Sequence, residues 1–161
     1  MSQLLEEILS KDNMIRAYKK VKANKGTCGA DGVGMDEIDD YLRKNWKTIK
    51  EEIRNRKYRP QPVRRVEIPK PNGGVRNLGI PTVVDRIIEQ AIVQVLTPIV
   101  EPHFSEHSYG FRPGRRAQQA IVELLEYFKD GYTYIVDIDL EKFFDNVPQD
   151  KLMTLVGKTH P

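Results

Sequence analysis

The run Tyr134-Ile135-Val136-Asp137-Ile138-Asp139-Leu140-Glu141-Lys142-Phe143-Phe144-Asp145-Asn146-Val147 constrains this chain more than any other stretch. Its start is aromatic and β-branched, with no Gly or Pro, and predicts a strand. Asp139 then falls at the strand's C-terminal end, followed closely by two aromatic rings. A carboxylate there suits a hard divalent cation, because oxygen ligands match Mg²⁺. The rings suit the floor of a pocket. A lone Asp-x-Asp would merely end an exposed strand. Asp-x-x-x-Phe-Phe-Asp after an apolar strand is more specific.

Charge adds a second constraint. Between Arg43 and Arg76 the chain carries twelve Lys/Arg and three acidic residues, a local +9 against −6 for the remainder. A concentrated basic stretch of this kind predicts a polyanionic partner. A lysine-rich solvated helix face would explain part of it, but the excess continues beyond the helix into a hairpin. The lone Cys28 forms no intrachain disulfide and fits a reducing, cytoplasmic setting. No apolar run is long enough to cross a membrane, and the acidic, uninterrupted N-terminus is not a signal peptide.

In chain order, helical spacing runs through Leu4, Leu5, Ile8 and Leu9, then Met14, Ile15, Tyr18 and Val21, with Ser10 and Asp12 as a cap between two short helices. Lys22 to Gly34 holds four glycines and predicts a loop, either a flap or an ordinary surface connection. A helix is expected over 35–57, with adjacent acids Asp39 and Asp40 in a structural role near its start. Tyr58-Arg59-Pro60 ends it. Val63–Ile68 and Val75–Gly79 predict a hairpin turning at Pro69–Gly74 and carrying Arg64, Arg65, Lys70 and Arg76. Thr82, with Asp85 three residues on, predicts the cap of a core helix that frays at Pro98 and Pro102. Ser108-Tyr109-Gly110-Phe111-Arg112-Pro113-Gly114-Arg115 alternates aromatics with arginines, which suits base stacking and phosphate contact. Helices are expected over 116–129, with Ala117, Ala120, Ile121, Leu124, Leu125 and Phe128 on one face, and after Pro148.

Together these motifs resemble the N-terminal part of bacterial group II intron reverse transcriptases, also called maturases or intron-encoded proteins. The residues that carry the resemblance are Gly29-Ala30-Asp31-Gly32-Val33, Arg64 to Pro71, Arg76-Asn77-Leu78-Gly79-Ile80-Pro81-Thr82 with Asp85-Arg86, Tyr109 to Arg115, and Asp137 to Asp145. They occur in the family's order over nearly the whole chain. The resemblance implies an α/β (α+β) fold: the fingers and the beginning of the palm of a right-hand polymerase, mostly helical with a basic hairpin and a palm strand. It implies an N-terminal helical extension and loop over 1–34, fingers over 35–130 and the start of a palm over 131–161.

The chemistry it implies is RNA-directed DNA synthesis with two Mg²⁺ ions, in an enzyme of intron splicing and retrohoming in the bacterial cytoplasm. Asp139 matches the first metal ligand, joined by the Leu140 carbonyl. Phe144 matches the aromatic beneath the incoming sugar, where a ring excludes a 2′-hydroxyl; Phe143 is its neighbour and the stronger core candidate. Lys70 and Arg76 match the cations that hold the triphosphate. Arg64, Arg65, Arg112 and Arg115 are expected on template or nucleotide. The partners implied are intron RNA, an RNA template with a DNA primer, and dNTPs. The family's second metal motif, Tyr-x-Asp-Asp, is absent from the sequence. The resemblance therefore implies a piece that does not polymerise alone. Two alternatives stay open: a non-catalytic RNA-binding module, and a self-associating one that forms homodimers through an exposed strand edge.

Overall fold

The computed structural model describes residues 2–140 and 143–159. The chain divides into two compact units, 1–106 and 107–161.

The first unit opens with α1 (Gln3–Ile8) and α2 (Lys11–Ala23). Ser10 caps α2 by accepting the Asn13 N–H through its side chain. After a loop, α3 (Ile38–Arg54) presents Ile38, Leu42, Trp46, Ile49 and Ile53 at helical spacing. The hairpin pairs β1 (Arg64–Lys70) with β2 (Gly74–Ile80), and α4 (Val83–Val100) follows. Thr82 caps α4 as its sequence predicts, its side-chain oxygen accepting the Asp85 N–H at 3.1 Å. Pro98 does not stop this helix. It removes one backbone donor from the last turn, and the helix ends two residues later, at Val100. A 3₁₀ turn over Glu101–His103 takes up Pro102.

The core of this unit joins Leu9, Met14, Ala17 and Val21 to Val83, Val84, Ile87, Ala91 and Val95, with Ile38 and Ile49 from α3. Asn13 is buried within it. Its side-chain amide donates to the carbonyls of Ile8 and Ala91, at 2.9 and 3.0 Å, and its side-chain oxygen accepts from Gln94 at 2.8 Å. A buried amide satisfied this fully fixes how α1, α2 and α4 meet. Polar ties also hold α3 at both ends. Asp39 accepts from Tyr18 and Lys22, and Arg54 donates two hydrogen bonds to Glu6. The bond to Asp39, followed by that to Tyr18, pushes the Lys22 ammonium up to about 12. The structural role expected of Asp39 is observed.

The second unit contains α5 (Ala117–Lys129), the single turn α6 (Phe143–Asn146) and α7 (Gln149–Thr159). None of its described residues is fully buried. Ile121, Leu124, Leu125 and Phe128 lie at the spacing of a core face, yet each is at least two-fifths exposed. The strand expected at Tyr134–Val136 is absent: residues 133–140 carry neither helix nor ladder. A ladder needs a partner, and the only strands among the described residues, β1 and β2, pair with each other. The segment instead meets α5, where Leu124, Tyr127, Phe128, Tyr132, Tyr134 and Ile135 line a groove. Glu141 and Lys142 lie outside the described residues. No helix among the described residues is long and apolar enough to cross a membrane.

Candidate nucleotide and nucleic-acid site

The hairpin register sorts its cations. Ile68 lies opposite Arg76, and Lys70 opposite Gly74. Side chains two apart share a face of a strand, so Arg64, Val66, Ile68 and Lys70 stand on one face with Ile80, Leu78 and Arg76. Lys70 and Arg76 are diagonal neighbours there, with Cβ atoms about 7 Å apart. Both are exposed, and neither side chain has a hydrogen-bond or ion-pair partner among the described residues. Two adjacent unpaired cations at a hairpin tip repel one another unless an anion lies between them. The tip itself is a short turn: Gly73 donates to the Lys70 carbonyl at 3.2 Å and takes a positive φ of 81°. Arg65 falls on the opposite face with Glu67.

Arg64 is turned toward the glycine-rich loop. Its guanidinium donates to Thr27 Oγ1 at 3.0 Å and to Cys28 Sγ at 3.7 Å. Arg86, from α4, donates to the Thr27 carbonyl at 2.5 Å and to the Thr82 carbonyl at 3.4 Å. A Cβ on Gly29 would lie 2.6 Å from the Thr82 Cα and 2.7 Å from its N. This loop is therefore neither an ordinary surface connection nor a free flap: Arg64 pins it to β1, and Arg86 and a backbone contact pin it to the start of α4. Gly29→Ala is expected to lower thermal stability by about 1–3 kcal/mol, because backbone must move to admit the methyl group. Gly34→Ala, with open space around its Cα, is the matched control. Equal melting temperatures for the two variants would contradict the contact.

In the second unit, Glu123 gathers His107, Tyr109 and Tyr127, each hydrogen-bonded to its carboxylate. The Tyr109 bond, the strongest influence, holds Glu123 below the usual carboxylate range. The Arg115 guanidinium lies 5.5 Å from the Tyr109 ring centroid, and Arg112 donates to the Ser108 carbonyl at 3.0 Å. Asp139 is exposed, and its Oδ1 accepts the Leu140 N–H at 2.9 Å. Phe144 is 89% exposed and meets Phe143 edge-on at 5.4 Å. Among the described residues no three His, Cys, Asp or Glu side chains gather to hold a metal. Asp139 supplies the oxygen chemistry Mg²⁺ prefers, but as a single carboxylate.

The structure thus brings Lys70, Arg76 and Arg64 onto one face, with Arg65 on the other. It places Arg112, Arg115, Asp139, Leu140 and Phe144 in the second unit. Two anchors were not anticipated as such. Arg86 was visible only as part of a motif, and the Glu123 cluster gave no sequence signal beyond its four-residue spacing to Tyr127.

A family model described as reverse transcriptase (RNA-dependent DNA polymerase) matches residues 68–159, more than half of the chain. The chain belongs to the reverse transcriptase family. Protein YkfC of Escherichia coli is 34% identical over 98% of this chain and 43% of its own length. The group II intron-encoded protein LtrA of Lactococcus lactis is 34% identical over 97% of the chain and 26% of its own. Nuclear intron maturase 1 of Arabidopsis thaliana is 32% identical over 48% of the chain. This reverse transcriptase chain spans less than half the length of these relatives. The names of the last two, with the matched family model, bear out its likeness to group II intron reverse transcriptases and maturases.

Proposed function

We propose that the chain forms the N-terminal extension (1–34), the fingers (35–130) and the start of the palm (131–161) of a group II intron reverse transcriptase, which acts in intron splicing and retrohoming in the bacterial cytoplasm. One observation carries the reading most directly: Lys70 and Arg76 stand together, exposed and unpartnered, at the tip of a hairpin in a reverse transcriptase chain. Held apart from acids, these cations suit the phosphates of an incoming dNTP and the charge that develops on the leaving pyrophosphate. Asp139, with the Leu140 carbonyl, is the candidate ligand for Mg²⁺. In a two-metal polymerase such ions, about 3.5–4 Å apart, stabilise the attacking and leaving oxygens. Phe144 is assigned beneath the sugar. Arg64, Arg65, Arg112 and Arg115 are assigned to the RNA template, DNA primer or intron RNA.

The test is kinetic. In a longer polymerase of this sequence that includes a Tyr-x-Asp-Asp motif, Lys70→Ala or Arg76→Ala is expected to lower kcat/KM for dNTPs about ten- to a hundredfold. That is the loss of one charged hydrogen bond to phosphate, about 1.5–3 kcal/mol. Unaltered kinetics in both variants would contradict the triphosphate assignment.

A second reading is an RNA-binding module without catalysis. The exposure of Arg65 on the hairpin face away from Lys70 supports it, because cations on both faces grip a folded RNA without converging on one triphosphate. Salt-sensitive RNA binding by the 161-residue chain, with no dNTP effect in the longer polymerase, would favour this reading. The half-exposed apolar face of α5 supports self-association into homodimers. Concentration-dependent sedimentation tests it.

A further inference from the structure

Phe111 is the most exposed large apolar side chain among the described residues, with the full exposure of an isolated residue at 110%. It also takes a positive φ of 58°, a left-handed conformation that residues with a Cβ adopt only at a cost. Gly114, three residues on, has φ 71°. A bulky ring in a costly backbone state and out in water gains nothing from folding by itself. The loop around it is nevertheless held on both sides. Before it, the Tyr109 hydroxyl is bonded to Glu123 and His107 joins the same carboxylate. After it, Arg112 closes on the Ser108 carbonyl at 3.0 Å, and the Arg115 N–H bonds the Arg112 carbonyl at 3.3 Å. The Tyr109 ring is already covered by the Arg115 guanidinium. Phe111 is left as the uncovered ring of the loop, displayed by a fixed frame.

We propose that Phe111 is a stacking platform for an unpaired nucleobase of a single-stranded nucleic acid. This rests on the nucleic-acid reading above and adds a contact which that reading does not assign. Three features select this partner. A ring presented by a clamped loop loses little freedom on binding, which favours a contact made by one flat face. The adjoining Arg112, Arg115 and Arg116, with no acid between Phe111 and Arg116, supply the positive potential that attracts a phosphate backbone. Stacking needs no base-specific hydrogen bonds, so a bare exposed ring suffices for it.

The experiment measures binding of a fluorescein-labelled ten-nucleotide oligo(rA) to the 161-residue chain by fluorescence anisotropy, at several salt concentrations. Phe111→Ala is expected to weaken binding about 5- to 100-fold, the usual cost of losing one base–aromatic stack. Because no charge is removed, the slope of log Kd against log salt stays at the wild-type value. Phe111→Trp keeps a flat ring and retains wild-type affinity. Phe111→Gly relieves the backbone, so it raises the melting temperature while binding like the Ala variant. If the wild type binds and Phe111→Ala binds equally well, the stacking role is overturned and the nucleic-acid reading stands. If Phe111→Trp fails to restore affinity, the role is likewise overturned. A wild-type chain that binds no oligonucleotide at low salt overturns the nucleic-acid reading and this inference with it.

Discussion

Asp85→Ala is expected to lower the stability of the first unit by about 3 kcal/mol, a drop in melting temperature on the order of 15 °C for a unit of this size. Asp85 is only 3% exposed. Its Oδ1 accepts the Tyr58 hydroxyl at 2.6 Å, and its Oδ2 accepts the Thr82 hydroxyl at 2.7 Å and the Gln61 N–H at 3.2 Å. One carboxylate thus joins Tyr58 beyond α3, the Pro60-Gln61-Pro62 link and the cap of α4. Removing it leaves three donors without their acceptor, and each is partly or fully withdrawn from water. Asp85→Asn keeps one acceptor oxygen and should lose roughly half as much. Thermal unfolding followed by circular dichroism reads both. A shift below about 3 °C for Asp85→Ala would show that water replaces the carboxylate and that the joint is unimportant. The same joint gives a pH dependence. Burial, reinforced by the bond to Asp85, pushes the Tyr58 hydroxyl well above the usual tyrosine range. A group whose folded pKa is raised contributes fully below its unfolded pKa and loses that contribution above it. The unfolded value is about 10, so stability should hold to that pH and fall beyond it.

Phe144→Ala, made in the longer polymerase, is expected to change the ratio of ribonucleotide to deoxynucleotide incorporation by at least tenfold while deoxynucleotide use stays near wild type. If the ring closes the space beside C2′, its loss removes a clash and leaves the attractive contacts to base and phosphates intact. The competing role is that of a core ring, whose truncation would cost about 3–5 kcal/mol and depress all activity together. The structure weighs on this choice. Phe144 is 89% exposed, whereas Phe143 beside it is 51% exposed. Within the second unit Phe144 therefore has little packing to lose, and Phe144→Ala in the 161-residue chain should melt with the wild type. A stable variant with an unchanged incorporation ratio would remove Phe144 from the sugar pocket, and Phe143 becomes the residue to test.

Local signals carried much of the first unit in the sequence. Ser10 and Thr82 announce the starts of α2 and α4, because a capping side chain is a one-turn interaction. The hairpin follows from alternation about Asn72-Gly73, with Lys70 and Arg76 on it. What failed was whatever depends on a distant neighbour. Tyr134–Val136 has strand composition but no described strand beside it. The face of α5 has core spacing but stays at least two-fifths exposed. The joint at Asp85 reaches Tyr58 and Gln61, 27 and 24 residues away, and the cluster at Glu123 reaches His107 and Tyr109, 16 and 14 away, which no periodicity reports. Of the candidate site, the grouping of Lys70 with Arg76 could be foreseen once the register was guessed. The turning of Arg64 toward Thr27 could not, because it depends on where a loop of thirteen residues comes to rest.

The alternation of the hairpin also restricts how its length can drift. One residue added within β1 between Arg64 and Lys70, with the turn kept, sends every side chain on one side of the insertion through to the opposite surface. Lys70 would then part from Arg64 or from Arg76. Two added residues restore the parity and only move the tip outward by about 7 Å. Descendants of this sequence should therefore show insertions in this strand in even steps, or odd ones accompanied by a bulge that absorbs the extra residue.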